Sequence, residues 1–323
     1  MQSTPSQAVG KIVILATGGT IAGSAAAATD NVRYRAGTVS IADVLAAVPA
    51  LRGLPLEAEP VAQIDSKDLD FSLWQQLAQR VAHHLARTEV AGVVVTHGTD
   101  TLEETAYFLQ RVLAPAKPVV LTAAMRPATS LQADGPQNLL DAVAVASSAG
   151  GRGARGVVAV LAGTVHRGCD LRKTHSYRLD AFGSGEAGPL GRIEEGVLRR
   201  FRDWPGDDTG PALGLAGIAS DPAGWPRVEI VLSHAGADGA LVPALLALGA
   251  RGIVVAGTGN GTVHALLEAA LRAAQAQGVR VLRCTRCAEG TVIGQPPGAL
   301  PSAGALTPVQ ARVELLLGLL GGV

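Results

Sequence analysis

Val93-Val94-Val95-Thr96-His97-Gly98-Thr99-Asp100-Thr101-Leu102-Glu103-Glu104-Thr105-Ala106 is the stretch whose reading decides the fold. Its β-branched opening reads as a strand buried on both faces. The strand ends by Gly98. Leu102, Ala106, Leu109 and Leu113 then recur at three- and four-residue steps and line one face of a helix. Between strand and helix lie a histidine, two threonines and an aspartate, in the kind of loop where open α/β sheets bind ligands. A plainer reading stands beside that one. Asp100 with Glu103, or Thr101 with Glu104, has capping-box spacing, and a cap needs no substrate.

Outward from this stretch the same unit recurs. Lys11 to Ala16 is a short strand that runs into Thr17-Gly18-Gly19-Thr20-Ile21-Ala22-Gly23. The glycines allow a tight turn and close backbone approach, with N–H groups available to an anion. The turn is neither a P-loop nor a dinucleotide fingerprint. Ser24 to Gly37 follows, read from composition as an ordinary exposed loop, with a lid over the first threonines as the alternative. Ser40 and Asp43 cap a helix to about Val48. Leu56 to Ile64 is a strand ending in Asp65-Ser66-Lys67-Asp68, and Leu73 to about Arg87 is an amphipathic helix. Pro118 to Thr122 and Gly156 to Leu161 are further strands, with a helix from Gln137 to Ser148 between them.

This rhythm predicts a parallel sheet with right-handed crossovers. Residues 162–176 carry no apolar period and read as a polar loop, and 199–225 reads as a linker rich in Gly, Pro and Asp. Beyond it, strands at Val228–Leu232, Gly252–Ala256 and Val279–Arg283 alternate with helices at Leu241–Leu248, Val263–Ala274 and Pro308–Leu320. The expected fold is α/β. A larger N-terminal parallel-sheet domain with helices on both faces spans 1–198, and a smaller C-terminal α/β domain spans 226–323.

Twenty-seven basic residues balance twenty-seven acidic ones, and no basic run with interleaved aromatics occurs, so nucleic acid is not an expected partner. Ile12 to Ala16 is too short to cross a membrane. The opening residues lack the pattern of a signal peptide, so a cytoplasmic location is expected. Cys284 and Cys287 have no second pair to complete a zinc site, and neither a metal nor a cofactor is expected.

If the loops meet at one sheet edge, Thr20, Ser66, Thr99 and Asp100 converge. No Gly-x-Ser-x-Gly elbow is present, and His97 alone keeps a Ser–His–Asp hydrolase in view. The remaining option is threonine as nucleophile, which needs a base and a group to hold that base. The chain has four lysines (Lys11, Lys67, Lys117 and Lys173) among its twenty-seven basic residues, and Lys173 lies in a polar segment. A lysine, unlike an arginine, gives up its proton when desolvated. Lys173 as base, oriented by Asp100, would activate Thr99. Tyr34 is the nearest helper for Thr20, and the glycine turns would supply oxyanion donors.

Ile14 to Gly23 and Thr96 to Ala106 resemble the two signature segments of the bacterial-type L-asparaginase/glutaminase family. Ala124-Met125-Arg126-Pro127, Asp134-Gly135-Pro136 with Asn138, Gly188-Pro189-Leu190-Gly191 and Ala256-Gly257-Thr258-Gly259-Asn260-Gly261 are similar to that family's landmarks, in its order. The resemblance runs from about Ile12 to Gly290. It implies that Thr20 is the nucleophile on a side-chain amide, assisted by Tyr34. It also implies that Thr99, Asp100 and Lys173 form a triad that relays protons or positions the second step. By the same resemblance Ser66 and Asp100 hold the substrate's α-carboxylate and α-amino group, and Ala124 makes a backbone contact near the scissile amide. Gly19, Asp65, Gly98 and Thr99 are counted with the substrate-binding positions, and Asn260 would reach a neighbouring subunit's site.

The resemblance therefore implies hydrolysis of L-asparagine to aspartate and ammonia through an acyl-enzyme, with L-glutamine as a minor substrate. It also implies a homotetramer built from intimate dimers. Two departures touch recognition. Thr291 to Pro296 lacks the acidic residue that members often place there, and charged residues flank Ser66. The alternatives are an amidase for another amide, including the ammonia-donating subunit of a tRNA-dependent amidotransferase, and a non-catalytic protein that binds an acidic amino acid.

Overall fold

Val93, Val94 and Val95 are fully buried, as a strand covered on both faces requires. The computed structural model describes residues 10–147, 153–206 and 210–322. The opening residues 1–9, the expected helix end at Ser148 and residues 207–209 of the expected linker lie outside the described residues. The chain divides into two compact units, Met1–Ala212 and Leu213–Val323.

The first unit holds β1 (Lys11–Gly18), β2 (Ser24–Ala25), β3 (Tyr34–Arg35), α1 (Ile41–Ala46), β4 (Leu56–Ile64), α2 (Phe71–Leu85), β5 (Val90–Thr96) and α3 (Leu102–Leu113). β6 (Pro118–Thr122), α4 (Gly135–Ala146), β7 (Gly156–Leu161), β8 (Thr164–Arg167), β9 (Arg172–Lys173), β10 (Phe182–Gly183), β11 (Gly191–Glu194) and β12 (Val197–Arg200) complete it. Eight strands form one sheet in the order β12-β11-β8-β7-β6-β5-β1-β4. β4, β1, β5, β6 and β7 run parallel. β8, β11 and β12 extend the sheet antiparallel.

α1 and α4 share one face, where Val44, Val48, Leu139 and Val143 meet Ile12, Ile14, Val94, Val120 and Val158. The alternate residues Val13, Leu15, Val93, Val95 and Leu121 are equally buried on the opposite face. That face lies against α2 and α3, whose Trp74 and Phe108 rings stack at 4.8 Å. α2, α3 and α4 all carry the chain in the same direction across the sheet, yet α4 lies on the other side. The crossover from β6 through α4 to β7 therefore has the opposite hand to the rest. It is left-handed where the others follow the right-handed rule, which corrects the expectation of uniform handedness. The long 123–134 segment between β6 and α4 supplies the reach.

Residues 162–176 are not an irregular polar loop, because they contain β8 and β9. Leu161 pairs with Thr164 across a two-residue turn in which Ala162 and Gly163 have φ of 47° and 67°. Two positive φ values in succession give the twist an antiparallel hairpin needs. Of the polar letters that hid β8, His166 is satisfied inside, buried with its Nδ1 2.7 Å from Ser184 Oγ.

The second unit contains α5 (Gly214–Gly217), β13 (Arg227–Leu232), α6 (Leu241–Ala247), β14 (Ala250–Gly257), α7 (Ala265–Ala276), β15 (Arg280–Thr285) and α8 (Pro308–Leu320). Its three strands are parallel in the order β13-β14-β15. Val231, Ile253, Val255 and Val281 pack with Val242, Leu245, Leu267 and Leu271 of α6 and α7. A capping box of Thr307 and Gln310 starts α8. The stretch 199–225 includes the end of β12, α5 and the buried side chains of Trp204, Ile218 and Trp225. No helix among the described residues is long and apolar enough to cross a membrane.

Candidate active site

β1 and β5 are parallel neighbours, so the loops that follow them leave from one edge of the sheet. β1 ends at Gly18 (φ 103°) and is followed by Gly19 (φ 79°). A Cβ added to Gly19 would lie 2.5 Å from Gly98 Cα, and one added to Gly98 would lie 2.4 Å from Ser66 Oγ. Three loops thus touch where no side chain fits. Gly19 N–H donates to Ile64 O at 2.8 Å, so Gly19 contributes shape rather than an oxyanion donor.

Thr20 opens a 3-10 turn (Thr20–Ala22), is nearly buried and has its Oγ1 2.7 Å from Tyr34 OH. Tyr34 sits on β3, which pairs with β2, so this segment is a small ribbon rather than an ordinary loop. It is docked. Ser130 Oγ donates to Asn31 Oδ1 at 2.6 Å and Ala25 N–H donates to Thr129 Oγ1 at 2.9 Å. Asp30 Oδ1 accepts Val32 and Arg33 N–H at 3.0 and 2.9 Å, and these bonds hold its carboxyl below the usual range.

The capping reading of the second loop does not hold. Thr101 is the N-cap residue of α3, but its hydroxyl donates to Ser66 O at 2.9 Å, and among the described residues it makes no side-chain cap bond. Asp100 is taken by Lys173, whose Nζ donates to Asp100 Oδ1 at 2.6 Å and to Thr99 Oγ1 at 2.9 Å. Ser66 Oγ accepts Asp100 N–H at 3.2 Å. Asp65 caps the short turn Ser66–Asp68 by accepting Lys67 N–H at 3.4 Å. Lys67 and Asp68 pair with each other at the surface.

His97 is fully buried, with Nδ1 2.7 Å from Gly98 O and Nε2 3.0 Å from Thr105 Oγ1. Trp74 Nε1–H donates to the same Thr105 oxygen at 2.9 Å. A carbonyl oxygen can only accept, so the imidazole proton sits on Nδ1, donated to Gly98 O, and Nε2 of the neutral ring accepts the Thr105 hydroxyl hydrogen. Both ring nitrogens are engaged in holding the loop. Burial pushes the His97 pKa down to about 4. A Ser–His–Asp reading built on His97 therefore lapses.

Ala124, fully buried after β6, packs in the same apolar cluster as Ile21. Asp134 accepts Met125 N–H at 3.0 Å and Arg126 N–H at 2.9 Å, while Asn138 Nδ2 donates to Ala123 O at 2.9 Å. These two residues shape the Ala124 loop. The sequence showed them only as landmarks, and the Asp-Gly-Pro start of α4 was their one local signal. Asn260 belongs to the second unit, where its amide clasps the Ile293 backbone: Nδ2 donates to Ile293 O at 2.8 Å and Oδ1 accepts Ile293 N–H at 2.7 Å. The first unit by itself brings together Gly19, Thr20, Tyr34, Asp65, Ser66, Gly98, Thr99, Asp100 and Lys173.

An α/β scaffold with two threonine hydroxyls, each paired to a proton-handling side chain, has the parts of an acyl-transfer enzyme. Residues 11–205 match the family model described as Asparaginase, N-terminal, and residues 227–322 match the Glutaminase/Asparaginase C-terminal domain. The chain is 36% identical over 312 residues to L-asparaginase 2 of Bacillus subtilis (strain 168), covering 95% of this chain and 82% of that one. It is 40% identical over 281 residues to Glutaminase-asparaginase of Pseudomonas fluorescens biotype A, covering 86% and 76%. The crystal structure of a probable cytoplasmic L-asparaginase from Campylobacter jejuni matches with a TM-score of 0.87 at 35% identity, over 96% of this chain and 95% of that one. The chain belongs to the asparaginase/glutaminase family and is an amidohydrolase.

Gly19→Ala combines a positive φ with a clash against Gly98 backbone, so it should destabilise the fold by more than about 1 kcal/mol. Thermal melting and ammonia release would both register the change. His97 makes a pH prediction. Its pKa, depressed to about 4 in the folded chain, gives stability that is full above the ordinary histidine value of 6.5 and is lost as pH falls from there through 4. The melting temperature should drop over that window. The drop should be shallower in His97→Asn, and an equal slope in both proteins would contradict the assignment.

Proposed function

We propose that the chain is an L-asparagine amidohydrolase, giving L-aspartate and ammonia through a threonine ester, with minor action on L-glutamine. The observation that carries this reading is Lys173, which reaches Thr99 and Asp100 together from a distant ribbon while Thr20 and Tyr34 pair close by. The relatives named for asparaginase and glutaminase-asparaginase activity support the substrate class.

In this reading Thr20 Oγ1 bonds to the side-chain amide carbon and the C–N bond breaks. Ammonia departs with the proton that Thr20 loses, passed through Tyr34. Water then attacks the ester, releasing aspartate and restoring the threonine. Thr99 and Lys173, with Asp100 as orienter, serve proton transfer in this second half. Ser66 Oγ already accepts Asp100 N–H, which leaves its hydroxyl hydrogen for the substrate α-carboxylate. Asp100 is half-exposed and gives one oxygen to Lys173, which leaves the other for the α-ammonium. The same reading includes a cytoplasmic homotetramer of intimate dimers. There the Asn260 clasp shapes the Ile293 loop near a neighbouring subunit's site, beside the stretch that lacks an acid.

The test is ammonia release from L-asparagine and from L-glutamine, with Thr20→Ala and Thr99→Ala as controls. Release from asparagine should exceed that from glutamine, and each variant should lose at least about 100-fold while keeping its fold. Full activity in either variant would remove the role given to that threonine. Saturable aspartate binding without ammonia release from any amide would identify a binding protein instead.

A further inference from the structure

Glu103 lies in the first turn of α3, three residues after Asp100. Its carboxyl turns to β9 and accepts the backbone N–H of Lys173. The ribbon has that N–H to offer. Thr174 N–H donates to Ala181 O at 2.8 Å, and Lys173 sits opposite Phe182. Lys173 and Phe182 are therefore a non-hydrogen-bonded pair, and the Lys173 amide points away from β10. β9 and β10 form a two-stranded sheet of their own, two residues per strand. A ribbon of that size is marginal in water and needs outside ties to keep its place. The start of α3 supplies them: Asp100 holds the ammonium of Lys173, and Glu103 holds its main chain.

We propose that Glu103 is a positioning residue for the reaction, gripping the Lys173 amide so that Lys173 Nζ reaches Thr99 and Asp100 together. The inference rests on the role given to Lys173 above. Lysine has a flexible four-carbon stem, so its side chain alone does not fix where the ammonium lies. A misplacement of about 1 Å in such a group costs about 100-fold in rate. The groups facing the Glu103 carboxyl are Glu104 on its own helix, and Arg172 and Lys173 on β9. Burial, then Glu104, push the Glu103 pKa up to about 7. Across neutral pH the contact therefore changes from a neutral acid accepting a plain bond to a carboxylate accepting a charge-assisted one. The grip tightens as pH rises.

The experiment compares the full-length wild type, Glu103→Gln, Glu103→Ala and Lys173→Met. kcat and KM for ammonia release are measured from pH 5.5 to 8.5, and melting temperatures are measured alongside. Glu103→Ala should lower kcat about 10- to 100-fold with a much smaller change in KM. Glu103→Gln keeps an acceptor for the amide, so it should recover most of that loss. It should also lack the rise in kcat through about pH 7 expected of the wild type. If Glu103→Ala does not fold, the missing limb in Glu103→Gln still decides the matter. An unchanged kcat in Glu103→Ala, or a wild-type pH profile in Glu103→Gln, overturns the proposal. A fully active Lys173→Met overturns the role of Lys173 as well. An inactive Lys173→Met beside an unaffected Glu103→Ala removes the positioning role alone.

Discussion

The contact on which the rest of this site depends is the backbone crossing at Gly19, Gly98 and Ser66. Parallel strands in the order β5-β1-β4 send three loops off one edge, and those loops carry the side chains of interest. Side chains at the crossing would hold the loops apart, because a Cβ on Gly19 or Gly98 would come within 2.5 Å of its neighbour. The absence of side chains there places Thr20 and Thr99, each one residue beyond its glycine, in the same small region. The glycines' value lies in proximity more than in donors, since the Gly19 N–H is committed to Ile64.

Beneath the crossing the ties are buried and neutral. Trp74, Thr105 and His97 form a chain of bonds that ends on Gly98 O. Low surrounding dielectric makes each bond stronger and an unpaired group costly, so such a chain admits one arrangement. Asp134 and Asn138 do comparable work under the Ala124 loop. The pair Lys173–Asp100 is different, with 52% of the Asp100 side chain exposed. An ion pair so open to water adds little to stability. Its presence is better explained by the chemistry of its members than by the fold.

The parallel core was legible because burial on both faces demands only an uninterrupted apolar run, and Val93–Val95 and Val119–Leu121 have one. Helix faces were legible for the same reason, through the spacing of Leu102, Ala106 and Leu109. Other features had no such signal. Ala162-Gly163 is a weak hairpin signature, so β8 was hidden behind polar letters, of which His166 turns inward to Ser184. The hand of the β6–α4–β7 crossover depends on which face α4 covers, and periodicity does not report that. Asp100-x-x-Glu103 has the spacing of a cap, but tertiary partners compete for the same oxygens and take both acids. The resemblance located the candidate residues; it did not show what holds them. What Glu103, His97 and Asn138 hold became visible only in the structure, as bonds to other groups.

The two threonines and their partners come from different kinds of structure. Both hydroxyls stand at the ends of main-sheet strands, where hydrogen bonding on both sides of β1 and β5 fixes the backbone. Tyr34 and Lys173 instead come from β2–β3 and β9–β10, two-residue ribbons outside that sheet. Neither ribbon has enough ladder to define its own position. Each is tied from outside: the first through Ser130 to Asn31, Thr129 to Ala25 and main-chain bonds from Leu131 to Ala28 and Gly37 to Gly19, the second through Asp100 and Glu103. This division suits the acyl transfer proposed above. The attacking oxygen must be aimed at one carbon throughout, whereas the groups that move protons must meet a hydroxyl, a leaving amine and a water in turn. Rigid strands serve the first requirement, and small ribbons held by a few adjustable bonds serve the second.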